Sequence, residues 1–191
     1  GQKCTASSRI IVQAGIHDEF VERMTAAVSE LVVGHALGEG SQIGPVVDAR
    51  QLEQNLEYMQ IAVDEGAELV VGGERLQLDT EGFFMSPALF INTNNQMRIN
   101  REEVFGPIAC VIKVDSYKEA LEVSNDSDFG LTSGIITNSL QHAGHFKRHS
   151  KSGCVMVNLP TAGTDYHVPF GGRKNSSYGA REQGQYAREF Y

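Results

Sequence analysis

The feature that most constrains the fold is an alternation of short apolar runs with segments of helical period. SSRIIVQ, at 7–13, has the β-branched composition of a strand. Between His17 and Val33, the residues Phe20, Val21, Met24, Ala27, Val28 and Leu31 recur at the spacing of one helix face. Asp18 and Glu19 fall in the expected first turn, where the positive end of the helix dipole favours acids. Gly34 is the expected stop. Asp48 is a predicted N-cap for a second helix, with Leu52, Leu56, Met59 and Val63 on one face and Gly66 at its end. ELVVGG (68–73) reads as a strand into a turn. FFMSPALFI (83–91) contains Pro87, which cannot donate to a ladder, so an edge or antiparallel strand is expected there. IACVIKV (108–114) reads as a buried strand, and LTSGIIT (131–137) and CVMVN (154–158) as further strands. Ser116 and Ser139 are predicted to cap two more helices, the first running through Leu121 and Val123, the second to about His149.

Strands alternating with helices predict an α/β fold, a mostly parallel twisted sheet with helices on both faces. After Asn158 the chain turns rich in glycine, proline and polar residues. In doubly wound sheets such loops lie at the carboxyl ends of strands, where ligands bind. The length of 191 residues suits one domain of ordinary size.

Charge and cysteine usage narrow the function classes. Sixteen basic against 24 acidic residues leave a net charge of −8, which argues against nucleic-acid or anionic-membrane partners. No apolar run approaches the roughly 18 residues of a membrane span. The three cysteines, Cys4, Cys110 and Cys154, form no zinc-type spaced pairs, which suggests a reduced, cytoplasmic protein. Cys110 and Cys154 lie in strand-like runs and are expected to be small buried residues. Cys4 differs. GQKCTASSR sets it among small and polar neighbours directly before an apolar run, with Lys3 adjoining to favour the anion. A nucleophilic thiol must be partly ionised and reachable, and a loop at the mouth of a strand makes it so.

His142, His145 and His149 fall at i, i+3 and i+7 on one predicted helix face, a spacing at which imidazoles hold zinc. Lys147 and Arg148 share that segment and no acid or thiol joins it, so a solvated basic face is expected and no metal is predicted. A Cys-His hydrolase built on Cys4 would need a partner histidine, and none stands in a recognisable context.

Two further motifs lie far along the chain. Glu102-Glu103-Val104-Phe105-Gly106-Pro107 puts two acids before an aromatic and a Gly-Pro turn. Pro169-Phe170-Gly171-Gly172 leads into Arg173-Lys174, Ser177, Gly179 and Arg181-Glu182-Gln183-Gly184. With GQKCTASSR, these resemble the nucleophile, EExFGP and PFGGxKxSGxGRExG motifs of the aldehyde dehydrogenase superfamily. The third departs from the pattern at Ser177, where the family has glycine after serine. Gly44-Pro45, Gly66-Ala67, Gly72-Gly73, Pro87, Phe129-Gly130-Leu131 and Val157-Asn158 also follow the family's order, so the resemblance covers nearly the whole chain.

The resemblance implies the catalytic domain of an enzyme that oxidises an aldehyde to a carboxylate with NAD or NADP. Cys4 would be the nucleophile. Glu103 would accept hydrogen bonds from the nicotinamide ribose, Phe105 would pack near the nicotinamide, and Gln51 would touch the adenine-side ribose. Phe170 would lie near the aldehyde. The resemblance further implies one catalytic domain over 1–191, truncated at both ends. The cofactor-binding domain, the oxyanion asparagine and the general-base glutamate would lie upstream, so the isolated chain is expected to be inactive. Its parent would be a cytoplasmic homodimer or homotetramer. Val157 to Gly163, with Tyr166 to Phe170, looks like the bacterial 2-oxoglutarate-semialdehyde (2,5-dioxopentanoate) dehydrogenase branch, which acts on a short acidic aldehyde. Arg173 is a candidate cation for such a substrate by its place in the sequence. The alternatives are another aliphatic or semialdehyde dehydrogenase, or a non-catalytic structural or association module.

Overall fold

The computed structural model describes residues 1–190. The chain divides into two compact units, one of Gly1–Gln2 with Ser8–Asp115, the other of Lys3–Ser7 with Ser116 onward. The first unit contains β1 (Arg9–Gln13), α1 (Ala14–Ser29), α2 (Ala49–Asp64), β2 (Glu68–Val71), β3 (Arg75–Leu76), β4 (Phe84–Met85), β5 (Ala88–Thr93), α3 (Arg98–Arg101) and β6 (Ile108–Val114). Its four-stranded sheet has the order β1-β6-β5-β2. β1 and β5 both run parallel to β6, and β2 is antiparallel to β5.

Strand alternation sends side chains to two cores. On one face Ile10, Val12, Leu89, Ile91, Ala109 and Val111 pack with Phe20, Val21 and Met24 of α1. On the other face Ala88, Phe90, Ile108 and Cys110 pack with Leu52, Leu56, Met59 and Ala62 of α2. Leu89 and Phe90 are adjacent, point to opposite faces and are both fully buried. Each burial is worth roughly 2–3 kcal/mol. This unit has the expected α/β arrangement, with a helix on either face of its sheet.

Three sequence expectations change in detail. FFMSPALFI is two elements: β4 pairs with β3, and β5 is an internal strand of the main sheet. Pro87 lies between them, outside the ladder, and so removes no sheet bond. α1 starts at Ala14, directly out of β1, so Asp18 and Glu19 are past its first turn; Asp18 instead bonds His17, Oδ1 to Nδ1 at 2.8 Å. α1 also stops at Ser29, whose hydroxyl donates to the Thr25 carbonyl. Val33 leaves the helix to bridge Ile43, and the Gln42 side chain accepts from Val32 N–H. By contrast Asp48 caps α2 as expected, accepting from Gln51 N–H at 2.7 Å.

The second unit contains α4 (Tyr117–Asn125), β7 (Phe129–Gly130), β8 (Thr132–Ile135), α5 (Leu140–His149), β9 (Cys154–Val157), β10 (Arg173–Lys174), a 3-10 turn (Gly184–Tyr186) and α6 (Ala187–Phe190). β8 and β9 pair in parallel, and β7 and β10 antiparallel. Ser116 and Ser139 cap α4 and α5, each accepting an N–H from three residues on. Lys174 places its ammonium on the Asn125 and Ser127 carbonyls, 2.7 Å each, where the negative end of α4 favours a cation. Among the described residues no helix is long and apolar enough to cross a membrane.

Candidate active site

Cys4 sits within a turn closed by the Ala6 N–H donating to the Lys3 carbonyl at 2.9 Å. Its thiol is exposed, whereas Cys110 and Cys154 are buried. Burial pushes the Cys110 thiol up to about 12, and the Cys154 Sγ lies 3.7 Å from the Gly171 carbonyl. Reachability, one of the two requirements of a thiol nucleophile, is met only by Cys4.

The Cys4 turn belongs to the second unit, and Thr161, in the loop after β9, holds it there. Thr161 Oγ1 donates to the Thr5 carbonyl at 2.7 Å, and Ser7 Oγ lies 3.0 Å from Thr161 Oγ1. Thr5 itself is buried. The same loop begins at Asn158, a non-glycine residue at φ 55°. Asn158 tolerates this conformation because its amide bonds Thr137 twice, accepting from its N–H and donating to its carbonyl.

Phe170 is half-buried in this unit and fixed through its backbone, which exchanges two hydrogen bonds with Glu182 at 2.7 and 2.8 Å. The glycines behind it answer to close packing. A Cβ on Gly153 would collide with the Gly171 carbonyl, which also accepts from the Arg181 guanidinium. Ser177, the departure from the family pattern, accepts from Gly172 N–H at 2.7 Å and closes the loop. Arg173 is exposed on β10 opposite Gly130, and among the described residues no hydrogen bond ties it to the Cys4 turn.

The remaining sequence-selected residues, Gln51, Glu103 and Phe105, lie in the first unit, and the structure brings them together. The two acids of the EEVFGP segment have different occupations. Glu102 binds Arg98 Nε and Nη2 at 2.9 and 3.1 Å and also accepts from the Tyr58 hydroxyl. The Arg98 hydrogen bonds, then that of Tyr58, hold its carboxyl below the usual range. Glu103 is exposed and has no partner among the described residues. Its carboxylate is therefore free to accept hydrogen bonds, the chemistry that would suit a ribose diol.

Phe105 follows at φ 60°, a conformation that costs a non-glycine residue about 1–3 kcal/mol. The residue before it is held firmly. Val104 is buried, and its carbonyl accepts from Gln51 Nε2 at 2.9 Å and Gln54 Nε2 at 3.4 Å. Gln51 Nε2 also donates to Asn55 Oδ1 at 2.9 Å. Asn55 is fully buried, and its Nδ2 reaches Met85 Sδ. A Cβ on Gly106 would run into the Asn55 amide. Thus Gln51 spends both amide hydrogens inside the protein, supporting the segment that presents Glu103 and Phe105. Gly106→Ala is expected to cost about 2 kcal/mol through this clash, seen as a Tm drop of about 6 °C; an unchanged melting curve would refute the tight packing.

Asn55 and Thr161, which bond Gln51 and the Cys4 turn, were not singled out by residue patterns. Asn55 left one signal, an amide on the same helix face as Leu52 and Met59. Thr161 left none beyond its place in a polar loop. The three histidines of α5 are engaged locally. His142 stacks on Tyr117 with centroids 4.1 Å apart, His145 Nδ1 meets the Tyr117 hydroxyl at 2.9 Å, and His149 Nδ1 bonds the His145 carbonyl. Among the described residues no group of three or more side chains is arranged to hold a metal.

The chain is similar in sequence and fold to known proteins over its whole length. The alpha-ketoglutaric semialdehyde dehydrogenase of Bacillus subtilis is 40% identical over the whole chain, and the alpha-ketoglutarate semialdehyde dehydrogenase of Haloferax volcanii 43%. The chain spans 40% of the length of each. Among solved structures, betaine aldehyde dehydrogenase of Staphylococcus aureus in complex with NAD+ superposes with a TM-score of 0.95 at 33% identity, over all of this chain and 38% of that one. Aldehyde dehydrogenase 21 of Physcomitrella patens, in complex with the reaction product succinate, does so with a TM-score of 0.91 at 30% identity, over 98% of this chain and 38% of that one. The match to the aldehyde dehydrogenase family runs over residues 1–191, and the chain belongs to that family of enzymes.

Proposed function

We propose that this chain is the nucleophile-bearing part of an NAD(P)+-dependent dehydrogenase that oxidises a short acidic aldehyde, such as 2-oxoglutarate semialdehyde, to the dicarboxylate. The observation that carries the reading is the exposed Cys4 thiol on its tethered turn, the other two thiols being buried. The thiolate adds to the aldehyde carbon, forming a C–S bond and a thiohemiacetal oxyanion. The Cys4 N–H is available to donate to that oxyanion, as backbone amides do in acyl-transfer sites. Glu103 and Phe105 would hold the nicotinamide end of the cofactor, Glu103 by accepting from the ribose hydroxyls. When bound, the cofactor would supply the acceptor for the hydride leaving the thiohemiacetal carbon, so that Cys4 would be left carrying a thioester. Water then releases the acid and restores the Cys4 thiol.

Gln51 enters this proposal in two roles: its amide hydrogens support the Glu103 segment, and its Oε1 can accept from a ribose hydroxyl. Substrate class rests on the relatives, two of them named for 2-oxoglutarate semialdehyde and a third, from Saccharolobus solfataricus, for 2,5-dioxopentanoate. Those relatives carry more than half their length beyond the matched span, so turnover is assigned to the full-length protein that contains the chain, acting as a dimer or tetramer. The test is a comparison of kcat/KM across semialdehydes and simple alkanals with the full-length protein. A preference of about tenfold or more for 2-oxoglutarate semialdehyde is expected. A preference for uncharged alkanals would replace the acidic substrate with a generic aliphatic one, and no NAD(P)+-dependent turnover at all would reduce the chain to a structural module.

A further inference from the structure

The polar fastenings of the Cys4 turn are few. Among the described residues they are the internal Ala6 to Lys3 bond and the donation from Thr161 Oγ1 to the Thr5 carbonyl. A threonine hydroxyl carries one proton, and here the carbonyl takes it. Ser7 must therefore be the donor in its 3.0 Å contact with Thr161 Oγ1. The three residues form a directed chain, Ser7 to Thr161 to the Thr5 carbonyl, that grips the turn on both sides of Ala6. The Thr5 hydroxyl is buried without a partner among the described residues and so adds no fastening of its own.

This carbonyl belongs to the peptide plane immediately after the Cys4–Thr5 link. Fixing that plane limits rotation of the turn that carries both the thiol and the Cys4 N–H. The methyl of Thr161 in turn lies against Gly134 of β8, so the hydroxyl is held on regular structure and not on a free loop. We infer that Thr161 is a positioning residue for the nucleophile, locking the Cys4 turn so that Sγ and the Cys4 amide keep a fixed relation. The inference rests on the reading of Cys4 as nucleophile, and it adds the loop after β9 to the parts that set the reactivity of the thiol.

The test uses the full-length protein with three variants, Thr161→Val, Thr161→Ser and Ser7→Ala. Valine matches the shape of threonine and removes only the hydroxyl. With Thr161→Val, kcat is expected to fall about tenfold, because small misplacements of a reacting group are costly, while KM for the cofactor stays within about twofold. Iodoacetamide labelling of Cys4, followed by peptide mapping, should change rate by about threefold or more. Thr161→Ser should restore both readouts to within about twofold, and Ser7→Ala should shift them in the same direction by less. A Thr161→Val protein with wild-type kcat and labelling rate would overturn the inference, as would one that loses melting temperature alone, since that describes a purely structural tie. If the parent enzyme shows no aldehyde oxidation, the proposed function fails while the labelling comparison still decides the role of Thr161.

Discussion

Cys4→Ala is expected to abolish aldehyde oxidation by the full-length enzyme, lowering kcat by about 10⁴-fold or more, the scale on which a covalent nucleophile fails when removed. No other thiol is placed to substitute. Cys110 is 1% exposed and its thiol is pushed up to about 12 by burial, so at neutral pH it is neither reachable nor ionised. Cys154 is 7% exposed, with its sulfur against the Gly171 carbonyl. Cofactor affinity should be unchanged, because the residues assigned to it are elsewhere in the chain. The measurements are steady-state formation of reduced cofactor and direct cofactor binding to the variant. Residual turnover above about 1% of wild type would remove Cys4 from the covalent role. The same logic predicts that brief iodoacetamide treatment labels Cys4 in the folded enzyme and leaves Cys110 and Cys154 unmodified.

The second large effect is expected at Glu103. A carboxylate accepting from a ribose diol contributes charge-assisted hydrogen bonds of roughly 1.5–3 kcal/mol. Glu103→Gln should therefore raise KM for the cofactor about tenfold or more and lower kcat/KM accordingly. Glu102→Gln is the control. Its carboxylate is occupied by Arg98 and Tyr58, so its loss should leave KM for the cofactor within about twofold. Equal effects at the two positions would mean that neither acid is specific to the cofactor. The contrast between adjacent glutamates is invisible in the motif, where both acids stand side by side.

What residue patterns revealed here is largely what short-range physics decides. Asp48, Ser116 and Ser139 were legible as caps because capping joins a side chain to an amide three residues on. Leu52, Leu56 and Met59 on the inner face of α2, and the burial of Cys110 and Cys154, followed from period and composition, whereas the expected Val63 is exposed and Ala62 is buried in its stead. Local rules failed at α1, where the helix begins without a side-chain cap and ends at a serine bonded to its own helix. They failed again at Pro87, where one apolar run serves two separate strand pairings.

The site divides in the same way. The nucleophile, the paired acids and the PFGG loop were evident from motifs that lie within a few residues each. The work of Gln51 was decided by a carbonyl 53 positions away, and the hold of Thr161 on the Cys4 turn by one 156 positions away. The sequence alone thus determined the family and the α/β class and singled out Cys4 as the thiol proposed to react, since these are written in contiguous stretches. Only the tertiary structure decided which glutamate is free, where the Gln51 amide hydrogens go and what tethers the Cys4 turn. Each of those depends on which donor reaches which acceptor once distant segments are packed, and a buried polar group takes whatever partner the fold brings to it.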